Sequence, residues 1–424
     1  MTESYRFGRQ RLAWITLAGS FFCCLVFGVA IPLGLNAFVQ NSKQSLDISV
    51  QANQGTVGIE ELNGSRRVVL VGEPPEPINI SPTSIRTDTT ASALLTISPP
   101  DRPEPVMWMQ VASNSSVQID EASTPRFGFS NNPHRFTLDL QAGRVRLDVP
   151  PFDERNLDLL VTTPQGGTID VLDPGRYTFE VNNDAAQVTV QSGGKAFIQS
   201  QGETLELQSG ARAEVPTESP PLGPLSPARD LIQNGDFSDS FDNWALFSWR
   251  VELPDQPEGE TAIQLDSGDP MLRFARTGIG HADARITQSV NQDVSDYESL
   301  RLATTLRIVD QSLDVCGVQG SECPLLLIVN YIDDSGVSRV WQHGFFAKGT
   351  IDDNLTPGSC ISCAVVQRPH DRVPLGQLYF YDVDLRQELA SQGALPPRFI
   401  ESITLVGSGH SFVTDVSDVA IIVE

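Results

Sequence analysis

One long uncharged run covers residues 12–39 of the 424-residue sequence. As a helix rising about 1.5 Å per residue, this run more than spans a hydrocarbon core of about 30 Å. Arg6, Arg9 and Arg11 precede it, and the positive-inside rule keeps such residues in the cytoplasm. The sequence therefore predicts a cytoplasmic tail over residues 1–11, a single-pass transmembrane helix over residues 12–39 and an extracytoplasmic remainder.

A cleaved signal peptide is the alternative for the same run. Signal peptides have an apolar core of about 7–15 residues followed by small residues at the cleavage site. The run is longer than that, and Leu35, Asn36 and Ala37 make a poor cleavage site. An uncleaved anchor in the cell membrane is the favoured interpretation.

The charge of the chain limits its partners. It contains 53 acidic and 29 basic residues, for a net charge of −24. Such a surface repels nucleic acid and anionic headgroups, whereas cations, glycans and basic proteins remain compatible with it. No nucleophile elbow, metalloprotease helix or phosphate-binding glycine loop occurs, so the sequence predicts that the protein is not an enzyme. A glycosidase carboxylate pair is the catalytic alternative.

Beyond the anchor, hydrophobic residues alternate with a period of two. Val145, Leu147 and Val149 share one face of a predicted strand. Further short apolar pairs recur at intervals of roughly ten residues up to Leu207, with Gly, Asn and Asp in the turns between them. This spacing predicts an all-β fold.

Several of these segments resemble the FecR domain. The similar stretches are VTTPQG at residues 161–166, GRYTFEV at 175–181, VTVQSGG at 188–194 and LQSGA at 207–211. The resemblance predicts a FecR-like β domain over residues 45–215. Members of this family are single-pass proteins of the bacterial cell envelope that sense an outer-membrane receptor and control a sigma factor. They carry a sizeable cytoplasmic anti-sigma region, whereas this chain has only residues 1–11 there.

A second domain follows a proline-rich linker predicted over residues 216–229. It opens with Asn234-Gly235-Asp236-Phe237, and Trp244 follows. This opening resembles the first strand of galactose-binding-like jelly rolls, the β-sandwich of many carbohydrate-binding modules. The resemblance predicts a jelly roll over residues 230–424. Phe237 and Trp244 are expected in its core.

One strand of this domain is a candidate glycan-binding surface. Strand alternation places Arg339, Trp341 and His343 on one face, with Tyr331 on a neighbouring strand. An aromatic ring can stack on a sugar while Arg and His donate to its hydroxyl groups. An ordinary half-buried strand is the favoured alternative.

Acidic residues and cysteines supply two further predictions. Asp333, Asp334 and Asp352 are candidate ligands of a structural calcium ion, although Asp and Gly are also typical of turns, which is the favoured alternative. The late cysteines predict disulfides, with a zinc site or free thiols as the alternatives and the pairing left open. These cysteines are Cys316, Cys323, Cys360 and Cys363.

These observations favour a membrane-anchored extracytoplasmic binding protein with no cofactor apart from the calcium candidate. Its β-sandwich would bind a glycan or an envelope protein, and its FecR-like domain would act as a spacer or relay. The alternative is a transmembrane regulator or sensor of the FecR type that acts on sigma-factor-dependent transcription.

Overall fold

The computed structural model describes residues 3–61, 64–78, 82–102, 104–151, 155–249 and 251–424. It confirms a mainly β chain with one N-terminal apolar helix and sandwich-like sheets. The chain divides into two compact units, Met1–Pro227 and Ala228–Glu424.

Helix α1 covers Glu3–Asn41 and is longer than the predicted span at both ends. Its apolar part is Leu12–Asn41, within which the most apolar 18-residue window has a mean hydropathy of 2.2, and the protein buries none of that window. The helix is apolar around its circumference, as a helix surrounded by lipid requires. It is long and apolar enough to cross a membrane.

The first unit continues with strands β1 to β18. In chain order they are Lys43–Ser45, Asp47–Gln54, Thr56–Glu61, Arg66–Leu70, Glu76–Ile78, Thr83–Arg86, Ser92–Ser98, Met107–Val111, Ser116–Pro125, His134–Val149, Leu157–Thr162, Thr168–Val171, Gly175–Val181, Ala185–Gly193, Lys195–Ser200, Glu203–Gln208, Ala211–Pro216 and Leu222–Leu225.

Strand β10 joins the two sheets of this unit into a closed arrangement. Its first half pairs with β9 and β11, and its second half pairs with β8 and β13. The strand changes sheets at Gly143, whose φ of +83° favours glycine, and a Cβ there would lie 2.4 Å from Oγ of Ser115. Alternating apolar residues from both sheets, among them Leu138 and Leu147, form one core.

The predicted linker is partly structured. Leu222–Leu225 pairs with β17 as an edge strand, so the first unit extends to Pro227. Proline is tolerated there because an edge strand needs fewer backbone donors.

The second unit contains strands β19 to β31 and one short helix. The strands are Arg229–Asp230, Ala245–Trp249, Glu260–Asp266, Asp269–Arg276, Ala282–Asp293, Leu300–Gln311, Leu325–Asp333, Ser338–Phe346, Val366–Gln367, Asp371–Arg372, Tyr379–Asp384, Pro397–Gly409 and Phe412–Val423, and helix α2 covers Leu385–Ser391.

Two sheets form a β-sandwich in this unit, and their strands pair antiparallel except for the short β27 and β28, which run parallel to β26. One has the order β21-β22-β31-β24-β29, and β19 pairs with β31. The other has the order β20-β23-β30-β25-β26-β27, and β28 also pairs with β26. Phe237, Trp244 and Trp341 lie in the core between the sheets, so the expectation for Phe237 and Trp244 is met.

Candidate functional site

The predicted aromatic face of β26 points into the sandwich. Trp341 and His343 share one face, as alternation predicted, but both side chains are fully buried. The His343 ring stacks on Tyr381 of the facing sheet, with 5.3 Å between ring centroids. Tyr331 is buried as well. The prediction of an exposed stacking surface is therefore wrong, because a sugar cannot reach rings packed between two sheets.

The other face of β26 is covered too, and this explains the error. Phe346 on that face packs against Cys316 and Cys323 in a second small cluster. The short strands β27 and β28 continue the sheet beyond β26. A strand with both faces and its edge covered offers no ring to solvent, and the sequence alone does not show which segments will cover it.

An open cleft nevertheless lies at the end of β26 where Tyr331 and Arg339 meet. Its volume is about 440 Å³, within the range of small-molecule sites. Strands β25, β26 and β27 form part of it, and the residues that follow α2 complete it. Its lining residues are Tyr331, Asp333, Arg339, Val365, Val366, Gln367, Gln392, Gly393, Ala394 and Leu395.

Two of the residues that line this cleft each have a polar atom with no hydrogen-bond partner among the described residues. These atoms are the hydroxyl of Tyr331 and Oε1 of Gln392, and both are shielded from solvent. Burial, with a contribution from Asp333, raises the pKa of Tyr331 above its usual value of 10.0, so its hydroxyl keeps its proton. A ligand that reached these atoms after a small movement of the cleft wall would meet one group that can donate and accept, and one that accepts.

Arg339 lies at the mouth of the cleft and is half exposed. Its Nε donates to Oδ2 of Asp333 at 3.0 Å, and this is its one hydrogen bond within the described residues. The two terminal nitrogens remain able to donate to a ligand. Because the ion pair of Arg339 and Asp333 has no net charge, the cleft suits a neutral, hydroxyl-bearing molecule better than an anion.

A chain of polar contacts holds the far wall in place. Nε2 of Gln392 donates to Glu388 at 2.6 Å, and Arg368 bridges Glu388 to Asp371 at 3.3 and 3.1 Å. Nε2 of His343 lies 3.3 Å from Asp371. Burial raises the pKa of Asp371, but His343 and Arg368 outweigh it and hold the pKa below its usual value. These contacts therefore connect the cleft to the buried rings of His343 and Tyr381.

Sequence reasoning missed Gln392, Gln367 and Glu388. Helix α2 positions Glu388, and its N-cap is Asp384, whose side chain accepts from the amides of Arg386 and Gln387. Gln367 exchanges two hydrogen bonds with the backbone of Cys360. The available signal was an N-cap aspartate before a short segment in which Leu385 and Leu389 are four residues apart.

The three calcium candidates do not form one site. Asp333 accepts from Ser335, Val337 and Arg339, so its carboxylate is already occupied. Asp352 accepts from the amide of Asn354 in a turn. Asp334 lies outside the one metal-sized group that we find among the described residues, which consists of Cys316, Cys323 and His370. Both Asp333 and Asp352 act as turn residues, the alternative that the sequence left open.

The structure joins Cys316 to Cys323 and Cys360 to Cys363 by disulfides. Each bond closes a short loop, and Gln319 of the first loop accepts a hydrogen bond from Ile361 of the second at 3.0 Å. The two loops therefore lie side by side next to β26.

No protein-family model and no curated protein matches this sequence. Among solved structures, one described as an anti-sigma factor from Parabacteroides distasonis is 13% identical, with a TM-score of 0.25; the match covers 33% of this chain and 57% of that one. A family 11 carbohydrate-binding module from Clostridium thermocellum, in complex with a β-1,3-1,4-mixed-linked tetrasaccharide, is 13% identical, with a TM-score of 0.26 over 46% of this chain and 94% of that one.

A family 22 carbohydrate-binding module from Clostridium thermocellum is 12% identical, with a TM-score of 0.24 over 45% of this chain and 90% of that one. At these identities and TM-scores the likeness carries no argument about this chain.

Proposed function

We propose that this protein is a membrane-anchored, extracytoplasmic, non-catalytic binding protein whose second unit binds a neutral glycan in the cleft at the end of β26. The observation that supports this most directly is that two residues lining the cleft, Tyr331 and Gln392, each have a buried polar atom without a hydrogen-bond partner among the described residues.

Unpartnered buried polar groups favour a ligand that can satisfy them. Each such group costs about 1–3 kcal/mol, which a bound hydrogen-bonding group recovers. Sugar hydroxyls both donate and accept, so they match the Tyr331 hydroxyl and the Gln392 carbonyl at once. Val366 and Leu395 supply apolar wall for the C–H faces of a sugar ring.

A glycan array with the full-length protein in detergent identifies the ligand, and Tyr331→Phe then tests the cleft. The variant removes only the hydroxyl, so we expect binding to weaken about five- to tenfold, the equivalent of one hydrogen bond. Tyr379→Phe, on β29 and outside the cleft lining, is the matched control. Absence of glycan binding by the wild type, or equal binding by Tyr331→Phe, contradicts the proposal.

The proposed topology has its own test. Residues 1–11 would face the cytoplasm and the β units would face outward, as the arginines before the anchor favour. Protease added to cells with a permeable wall should then digest the β units of the intact protein. Protection of these units contradicts the topology.

A second candidate function is a relay of the FecR type, and the end of helix α1 favours it. Gln40 donates to the backbone oxygen of Phe129 at 3.2 Å and accepts from the amide of Asn131 at 3.0 Å. Ser130 donates to the backbone oxygen of Gln40 at 3.0 Å. A movement of this loop would therefore pass directly to the helix.

Affinity purification of the intact protein from membranes tests the relay. A sigma or anti-sigma factor should co-purify with the wild type. If neither is recovered, the relay fails, while the glycan proposal is unaffected.

A further inference from the structure

The disulfide between Cys316 and Cys323 lies beside a histidine with a bare ring nitrogen. Nε2 of His370 lies 2.8 Å from the backbone oxygen of Gly320. A carbonyl can only accept, so Nε2 carries the proton and Nδ1 carries a lone pair. Nδ1 is buried and has no hydrogen-bond partner among the described residues. Such a hydrogen bond to a carbonyl is the usual way in which proteins orient a metal-binding histidine.

The lone pair and the two sulfurs converge. The Sγ atoms of Cys316 and Cys323 and a ring nitrogen of His370 all lie within 4.8 Å of one another, and all three residues are buried. Gly344 lets both residues pack closely against its backbone from the same side, since a Cβ there would clash with Sγ of Cys323 at 2.4 Å and with Nδ1 of His370 at 2.6 Å. Two thiolates and an imidazole are ligands that Zn²⁺ prefers.

We propose that Cys316, Cys323 and His370 form a redox-gated site for a thiophilic divalent cation such as Zn²⁺, closed in the disulfide form and open after reduction. A dithiol reductant attacks the disulfide and is itself oxidised to a disulfide, so that two electrons and two protons pass to the cysteines. The cation then binds both sulfurs as thiolates, and the two thiol protons leave to solvent.

Charge and burial fit this assignment. Two thiolates and a neutral imidazole compensate the charge of a divalent cation, which a buried site requires. The protein supplies three ligands, so a fourth position remains for water or another small ligand. In the oxidised form the sulfurs are not thiolates, and the site is inactive as a metal ligand set.

The test uses Co²⁺ as a spectroscopic probe on the full-length protein, after a phosphine reductant has been applied and removed without oxygen and reduction has been verified by mass spectrometry. The reduced wild type should bind one Co²⁺ with a thiolate charge-transfer band, and Zn²⁺ should displace it. The oxidised protein should show no such band. A reduced wild type without the band overturns the proposal.

Variants assign the ligands. His370→Ala should weaken Co²⁺ binding by at least tenfold, and Cys316→Ser with Cys323→Ser should abolish the band. The matched controls, His410→Ala and Cys360→Ser with Cys363→Ser, should retain the band. Cys23 and Cys24 are present in every variant, so a band that arose from their thiols would survive the loss of Cys316 and Cys323. Equal binding by His370→Ala, or a band that survives loss of Cys316 and Cys323, overturns the assignment.

A measurement on the wild type covers the case in which a variant fails to fold. After reduction, Zn²⁺ should protect Cys316 and Cys323 from alkylation by iodoacetamide, as read by peptide mass, but leave Cys360 and Cys363 reactive. Alkylation of Cys316 and Cys323 at the same rate with and without Zn²⁺ overturns the proposal.

Discussion

Gly235 lies where the opening of the second unit crosses its last strand. A Cβ at this position would lie 1.9 Å from the backbone oxygen of Val419. The amide of Val419 donates to the oxygen of Gly235 at 3.0 Å, and the Trp244 indole donates to the oxygen of Asn234 at 3.1 Å. Close backbone approach therefore explains why this opening contains glycine.

Gly235→Ala should destabilise the second unit by at least about 2 kcal/mol, because the backbone must move to admit a methyl group. Denaturant unfolding of the full chain measures the loss. Gly58→Ala serves as the control, since its Cβ would meet only an ordinary contact at 3.8 Å. Equal effects of the two changes would show that steric approach is not the reason for Gly235.

Asp415 is a buried carboxylate of the second unit that two arginines bind. It accepts from Arg273 at 2.6 and 2.9 Å and from Arg307 at 3.0 and 2.7 Å, with an exposed side-chain fraction of 1%. Burial raises the pKa of Asp415, but the two arginines outweigh it and keep the pKa below its usual value. The carboxylate is therefore ionised at neutral pH.

Asp415→Ala should cost about 3–5 kcal/mol of unfolding free energy, because it removes the carboxylate that binds Arg273 and leaves the partly buried Arg307 with Asp266 alone. Asp382→Ala is the control: Asp382 also binds an arginine, Arg301, through two nitrogens, but at the surface. We expect little change there, because exposed ion pairs add little stability. Similar losses in both variants would contradict the role of burial.

At the scale of elements, regular strands were predictable and short elements were not. Strands β11, β12, β13, β14 and β16 lie where alternation and turn residues placed them. Strand β15, Lys195–Ser200, was missed because small Ala196 is one of its inward residues and weakens the alternation. Helix α2, Leu385–Ser391, is too short to show a helical period.

The loop of residues 127–132, which contacts the end of helix α1, can be tested by hydrogen exchange. Gln40→Ala removes its side-chain bonds to Phe129 and Asn131, so amide exchange of residues 127–132 should accelerate about fivefold to tenfold. Asn41→Ala is the control, because its side chain bonds within the helix, to Ala37. Unchanged exchange in Gln40→Ala would show that the loop is held by other contacts.

At the scale of the molecule, the two units should respond to pH in opposite directions. Hydrogen bonds to Asp283 and Glu322 raise the pKa of His281 from 6.5 to about 9. The stabilisation that His281 gives the folded second unit is therefore complete below pH 6.5 and is lost as pH rises through about 9. Burial lowers the pKa of His134 from 6.5 to about 4. Because the buried His134 ring is neutral in the folded first unit, this unit has its full stability above pH 6.5 and loses stability as pH falls toward about 4.

Hydrogen exchange resolved by peptide measures each unit separately. The second unit should lose up to about 3 kcal/mol at alkaline pH and the first a similar amount in acid, at about 1.4 kcal/mol per pKa unit. His281→Gln and His134→Gln should each flatten the dependence in their own unit only. If the pH dependence of a unit's stability persists in its histidine variant, other groups cause it.

The sequence was sufficient for the apolar helix and the mainly β fold because both depend on local periodicity. The cleft depends on segments that are distant in the chain. Tyr331 and Arg339 were identified for a stacking surface that does not exist, although both line the cleft. Gln392 carries no motif and acquires its place only through helix α2 and Glu388. Such convergence is a property of the tertiary fold.

The first and last strands of the second unit lie side by side. Arg229 pairs with Val423 and Asp230 with Ile422, so the chain enters and leaves this unit at neighbouring positions. Recombination can transfer a module of this kind into a surface loop of an unrelated host without separating its sheets. The same geometry makes circular permutants of residues 228–424 accessible to protein engineering.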